Sequence, residues 1–206
     1  MCRLGVNGFD AAYSYGFYEG SLRTLVHLLK FDKIHTLARP LGDLLAKVLP
    51  RDQRFDVIVP MPLHWRRRWQ RGFNQSDLLA REIARRWAVP VRRAVRRVKA
   101  SAPQSGLTKS QRRANVRGVF ALKRGVTLRG ARVLLVDDVF TTGATASACA
   151  KVLKRAGAAR VTLLTVARTD RRMYADVEPP VKKELPKERN VDESRLSAAK
   201  AAGSAS

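Results

Sequence analysis

Apolar positions fall at helical spacing in two early stretches: Leu22, Leu25, Val26, Leu28 and Leu29 within Ser21 to Lys30, and Leu41, Leu44, Leu45 and Val48 within Leu37 to Leu49. Both are predicted to be amphipathic helices. Asp56 to Val59 predicts a short strand, closed by Pro60-Met61-Pro62, because proline cannot donate to a central ladder. A loop should begin there. Asn74 or Ser76 can cap a helix running to about Trp87, with Leu78, Leu79, Ile83 and Trp87 on one face. Val89 to Val91 opens another strand, and Val116 to Leu122 reads as one more after a polar, glycine-containing segment. Val133 to Val136 is continuously apolar, the pattern of a strand covered on both faces. Ala144 to Ala156 follows as a helix with Gly157 as its stop, and Arg160 to Ala167 as the last strand. Strands alternating with helices imply an α/β fold with a mostly parallel sheet flanked by helices.

Composition sets the scale of this picture. A chain of 206 residues with 45% hydrophobic positions can bury one substantial core. Asp170 to Ser206 mixes charges with Pro, Ala and Ser and shows no apolar periodicity, so a disordered charged tail is expected there. The formal charge of +24 belongs to the globular part, and its densest stretch is His64 to Arg132, where 20 Lys and Arg face only Asp77 and Glu82. Such a field attracts polyanions. The first thirty residues lack an apolar signal region, and no stretch approaches the ~20 apolar residues of a membrane span, which predicts a cytoplasmic protein. Of the two cysteines, Cys149 falls within a predicted helix as a buried, inert thiol, and a structural disulfide is not expected.

The chemistry concentrates in VLLVDDVFTTGAT, Val133 to Thr145. A buried strand ends at Asp137 and Asp138, and Thr141, Thr142, Gly143, Ala144 and Thr145 lead directly into a helix. Unpaired backbone N–H groups and the positive end of a helix dipole converge at such a place, the threonine hydroxyls donate further hydrogen bonds, and a phosphate fits. In open α/β sheets ligands collect at the carboxyl ends of strands, so the two acids lie beside that phosphate and can accept from vicinal sugar hydroxyls. A receiver domain can also end a strand in paired acids, but it needs several more βα units than the remainder of this chain supplies. The second chemical feature is VPMPLHWRRRWQRGFNQSDLLA, in which Arg66, Arg67, Arg68 and Arg71 lie between a strand end and a helix start, suited to diphosphate. Trp65, Trp69 and Phe73 alternate with those arginines, a composition that also suits single-stranded DNA.

The segment from Val133 resembles the 5-phosphoribosyl 1-diphosphate (PRPP) motif of type I phosphoribosyltransferases. Four blocks in order, YEGSLRTLVHLLKF, VPMPLHWRRRWQRGFNQ, QSGLTKSQRRANVRGVF and VLLVDDVFTTGAT, resemble the ComF family, competence-associated phosphoribosyltransferase-like proteins of the ComFC and GntX type. That resemblance implies a type I phosphoribosyltransferase-like fold over residues 13–169 with a mobile hood. Asp137 and Asp138 become the candidate catalytic, ribose-binding acids, and Thr141 to Thr145 the phosphate loop. Met61, Pro62, Leu63 and His64, with Arg71, become the diphosphate loop, and Gln104, Arg113 and Asn115 fall in the hood. The resemblance further implies Mg²⁺ brought with PRPP, a role in DNA uptake during natural transformation, and a competence helicase as partner. A non-catalytic single-stranded DNA-binding protein on the same scaffold stands as the alternative. ComF proteins often begin with a four-cysteine zinc ribbon, whereas this chain offers Cys2 alone and His27, His35 and His64 in no recognised spacing with it. Zinc is therefore not supported, and residues 1–12 read as the remnant of a ribbon.

Overall fold

The computed structural model describes residues 8–98 and 118–169, except for the side chains of Arg66, Arg67 and Arg68. The expected hood residues Gln104, Arg113 and Asn115, the tail from Asp170 and Cys2 lie outside the described residues. Four strands form one parallel sheet in the order β1–β6–β5–β2: β1 (Ala11–Phe17), β2 (Val57–Pro60), β5 (Arg132–Phe140) and β6 (Arg160–Arg168). A separate antiparallel hairpin pairs β3 (Val95–Arg97) with β4 (Phe120–Leu122). Helices α1 (Gly20–Lys30), α2 (Ala38–Val48), α3 (Trp65–Arg71), α4 (Gln75–Trp87) and α5 (Ala144–Arg155) connect them.

The continuous apolar run of β5 is explained by the two faces it serves. Leu134 and Val136 point into a core with Val26 and Leu29 of α1, Leu41 and Leu45 of α2, and Leu79 and Ile83 of α4. Val133 and Leu135 point the other way, against Ala146, Cys149, Ala150 and Leu153 of α5 and Val95 and Phe120 of the hairpin. Each such side chain removed from water is worth about 1.5–3 kcal/mol, so burial on both faces of β5 holds the helices to the sheet. The helices on the first face pack closely because Gly42 of α2 leaves no room for a side chain: a Cβ there would come 2.4 Å from Cβ of Glu82 on α4.

Three elements differ from the sequence expectation. The loop expected after β2 is interrupted by α3, which carries the arginine run. Val91 makes only an isolated parallel bridge to Ile58, and the next strand begins at Val95. The strand expected from Val116 is confined, among the described residues, to Phe120–Leu122. One strand, β1, was not anticipated. It lies at the sheet edge with Ala11 opposite Thr162, and its sequence AAYSYGF has only its first residue fully buried, so no clear alternation marks it. Residues 8–12, assigned by sequence to a ribbon remnant, are thereby part of this domain: Asp10 accepts from the backbone N–H of Val161 at 2.6 Å and pairs with Lys154, and Phe9 packs edge-on to Phe140.

Candidate functional site

A cleft of about 290 Å³ opens at the carboxyl ends of β2 and β5. Asp137 and Asp138 reach it from β5, Thr141, Gly143 and Thr145 from the turn into α5, and Met61, Pro62, Leu63 and Arg71 from the segment after β2. Nine candidate site residues far apart in sequence therefore line one cavity. His64, Thr142 and Ala144 do not line it. His64 is buried beside Trp65, Ala144 is buried at the start of α5, and Thr142 keeps its hydroxyl buried with no hydrogen-bond partner among the described residues.

The local folding of each half has a separate cause. Gly143 has φ of 72°, the left-handed region that suits glycine, and from there its carbonyl accepts from the N–H of Ser147 to start α5. That conformation turns the chain sharply between the acids and the helix N-terminus. On the β2 side, Met61 is committed to the scaffold: its N–H donates to the Val136 carbonyl at 2.8 Å and its carbonyl accepts from Asn74 Nδ2 at 2.9 Å. Asn74 also caps α4, its Oδ1 accepting from the N–H of Ser76 at 3.2 Å. Arg71 stands at the end of α3, with its guanidinium 4.8 Å from the centre of the Phe31 ring.

Sequence reasoning missed Lys30, Ser76 and Arg97, all of which line the cleft. Ser76 Oγ donates to Asp137 Oδ1 at 3.1 Å, so the residue that was a candidate cap is instead a partner of the acid pair. Lys30 Nζ lies 2.9 Å from Asp138 Oδ1, with both side chains less than a fifth exposed. The available signal was the last-turn position of Lys30 on an amphipathic helix. The pairing itself depends on where α1 docks.

Burial, followed by the neighbouring Asp138 charge, pushes the Asp137 carboxyl up to about 7, against the opposing pull of the Asp138 N–H, Lys30 and Ser76. The same burial, followed by the charge on Asp137, drives the Cys149 thiol well above its ordinary value and keeps it protonated. A buried acid that titrates near neutrality beside one held by a lysine can both accept from and donate to sugar hydroxyls. The threonine turn and Arg71 lie in the same cleft.

Behind the Pro62–Leu63 segment is a second cleft of about 370 Å³ with a basic lining. Arg93 holds Asp77 in two hydrogen bonds of 2.6 and 2.7 Å, and Arg96 and Lys123 are exposed. Pro62, Leu63, Asn74 and Arg97 line both clefts. Trp65 at the edge of the second is 64% exposed and Trp69 on the same helix 85%, whereas Phe73 packs on the ring of His35. Among the described residues no three His, Cys, Asp or Glu side chains gather as a metal site, and no helix is long and apolar enough to cross a membrane.

The phosphoribosyl transferase domain family matches residues 74–196. The DNA utilization protein YhgH of Escherichia coli is 37% identical over 162 residues, which cover 74% of this chain and 69% of that protein. Competence protein F of Haemophilus influenzae is 34% identical over 170 residues, covering 78% and 73%. Among solved structures, the glutamine phosphoribosylpyrophosphate amidotransferase of B. subtilis is similar at 24% identity and a TM-score of 0.44, over 63% of this chain and only 26% of that one.

Proposed function

This chain belongs to the ComF family of phosphoribosyltransferase-domain proteins and has the type I phosphoribosyltransferase-like fold, and from that premise we propose that its cleft binds PRPP or a related ribose phosphate. The observation that carries this reading is the convergence of Asp137, Asp138, Thr141, Gly143 and Thr145 with Met61 to Leu63 and Arg71 on one cavity. In it the two acids face the sugar hydroxyls, the turn faces the 5′-phosphate, and Arg71 faces the diphosphate. Thr142, whose buried hydroxyl has no partner among the described residues, supplies a further donor once the turn closes on phosphate.

If the group is transferred, the bond from the anomeric carbon to diphosphate breaks as positive charge grows on the sugar and negative charge on the leaving group. Carboxylates on one side and an arginine on the other are placed to oppose both. The oxygen donors at the acid end of the cleft are compatible with a hard cation. Mg²⁺ arriving with the diphosphate would supply charge neutralisation at that end of the cleft. Calorimetry with Mg-PRPP, followed by measurement of diphosphate release across a panel of nucleobases, tests the reading. No heat of binding at millimolar PRPP would reject it.

A second reading is favoured by a separate observation, the exposed Trp65 at the basic second cleft and the exposed Trp69 on the same helix. Aromatic faces next to a positive groove are a single-strand binding mode, and the names of the two relatives, which speak of DNA utilization and competence, agree with a role in DNA uptake. Affinity for a single-stranded oligonucleotide should fall steeply with added salt, and a flat salt dependence would count against it.

A further inference from the structure

The acid pair does not stand alone in its cleft. Asp138 is met by a cation from a different element, Lys30 of α1, at 2.9 Å, while Asp137 is met by a neutral donor, Ser76 of α4, at 3.1 Å. The Lys30 and Asp138 side chains are 17% and 16% exposed, too enclosed for an incidental surface ion pair. Removing the cation would leave a carboxylate largely shielded from water with a second carboxylate next to it, an arrangement in which one of the two takes up a proton.

We propose that Lys30 is the positioning residue of the acid pair: it fixes the Asp138 carboxyl at the cleft wall as a standing acceptor for one sugar hydroxyl, while Asp137, met by Ser76, faces the other. The proposal rests on the ribose-phosphate reading of the cleft and adds the division of labour within the pair. The charged and titratable groups around the acids are Lys30 from α1, Arg71 from α3, Arg97 from β3 and the Cys149 thiol of α5, and of these Lys30 alone is in ion-pair contact with Asp138 among the contacts the structure gives for it. The raised titration of Asp137 agrees with an enclosed pair: burial and the neighbouring Asp138 favour its proton, and Lys30 pulls the other way. The family match begins at residue 74, so α1 contributes to the site from outside the matched segment.

The test compares the full chain with Lys30→Met and Lys30→Arg in two measurements. Carboxyl-carbon NMR titration, without ligand, should show Asp137, which the Lys30 charge pulls down, titrating higher in K30M and close to the parent value in K30R. Calorimetry at neutral pH should show K30M binding Mg-PRPP at least tenfold more weakly, K30R within about threefold of the parent, and both binding Mg-diphosphate, which has no diol, as the parent does. An unmoved Asp137 titration in a folded K30M overturns the proposal, as does equal loss of PRPP and diphosphate, which would make Lys30 an anion contact. If the parent chain binds diphosphate but not PRPP, the ribose reading fails and the division of labour fails with it. A shifted Asp137 titration would then establish Lys30 only as a structural counter-ion. Thermal denaturation of both variants identifies a folding defect, and if K30M does not fold, the K30R titration and the milder Lys30→Gln decide.

Discussion

The two halves of the cleft are built in opposite ways. The β5 half is a buried strand whose last residues carry the acids and whose turn is fixed by one glycine, with Val133 to Val136 at most 1% exposed. The β2 half is a short strand leading through Met61 to His64 into α3, whose Trp65 and Trp69 stand in solvent. The acid half is held by the core, so its geometry exists before any ligand arrives. The basic half is held at Met61 and Asn74 and owes much of its character to net charge. Preorganisation should therefore dominate effects on one side and electrostatics on the other.

The largest expected effect comes from the acid half. Replacing Asp137 and Asp138 together by Asn removes the two carboxyl groups proposed to meet the sugar hydroxyls. At about 1.5–3 kcal/mol each, PRPP affinity should fall by roughly 100-fold or more. Calorimetry measures it, and a double variant that binds within a few-fold of the parent would show that the acids are not at the sugar.

Next is pH. Asp137 titrates near 7 in the folded chain and near 3.9 when unfolded, so between those values the native state binds more protons than the unfolded one. Stability should rise as pH falls from about 7 towards 4, opposite to the usual behaviour of a salt-bridged acid. PRPP affinity, if it draws on the ionised carboxylate, should do the reverse and weaken by up to about tenfold per pH unit below 7. Asp137→Asn should flatten both curves, and matching slopes in the parent and D137N would separate the pair from both effects.

The same contrast governs what could be read from the sequence. The acid half was legible because its signals are local: a strand buried on both faces, two acids at its end and a glycine at the turn are consecutive residues. Asn74 was legible as a cap for the same reason. Lys30 and Ser76 were not, because their roles depend on α1 and α4 docking over the end of β5, a tertiary outcome with no local pattern. The arginine run was misassigned to a loop because Pro60 and Pro62 mark a strand end without saying how soon the chain turns helical again. The edge strand β1 escaped because AAYSYGF, only partly covered, does not alternate.

A smaller effect is expected at the turn itself. Gly143→Ala places a Cβ at φ of 72°, which should cost about 1–2 kcal/mol of stability and, if the turn relaxes out of the left-handed region, weaken the 5′-phosphate contact as well. Thermal denaturation and calorimetry with ribose 5-phosphate separate the two consequences. An unchanged melting temperature would mean that the turn is not strained by a side chain.

The smallest effect tests the basic half. Trp69 is 85% exposed, so Trp69→Ala should leave stability within about 0.5 kcal/mol and leave PRPP binding unchanged. If a base stacks on that ring, losing about 1 kcal/mol of stacking should weaken single-stranded oligonucleotide binding by about fivefold, with the salt slope preserved because no phosphate contact is removed. Fluorescence anisotropy at two salt concentrations measures both quantities. A drop in affinity with a reduced slope would instead assign the surface to charge, and no drop would leave the exposed tryptophans of α3 without a part in strand binding. In either outcome the acid half would be untouched, because its geometry is set by the buried strand on which its acids sit.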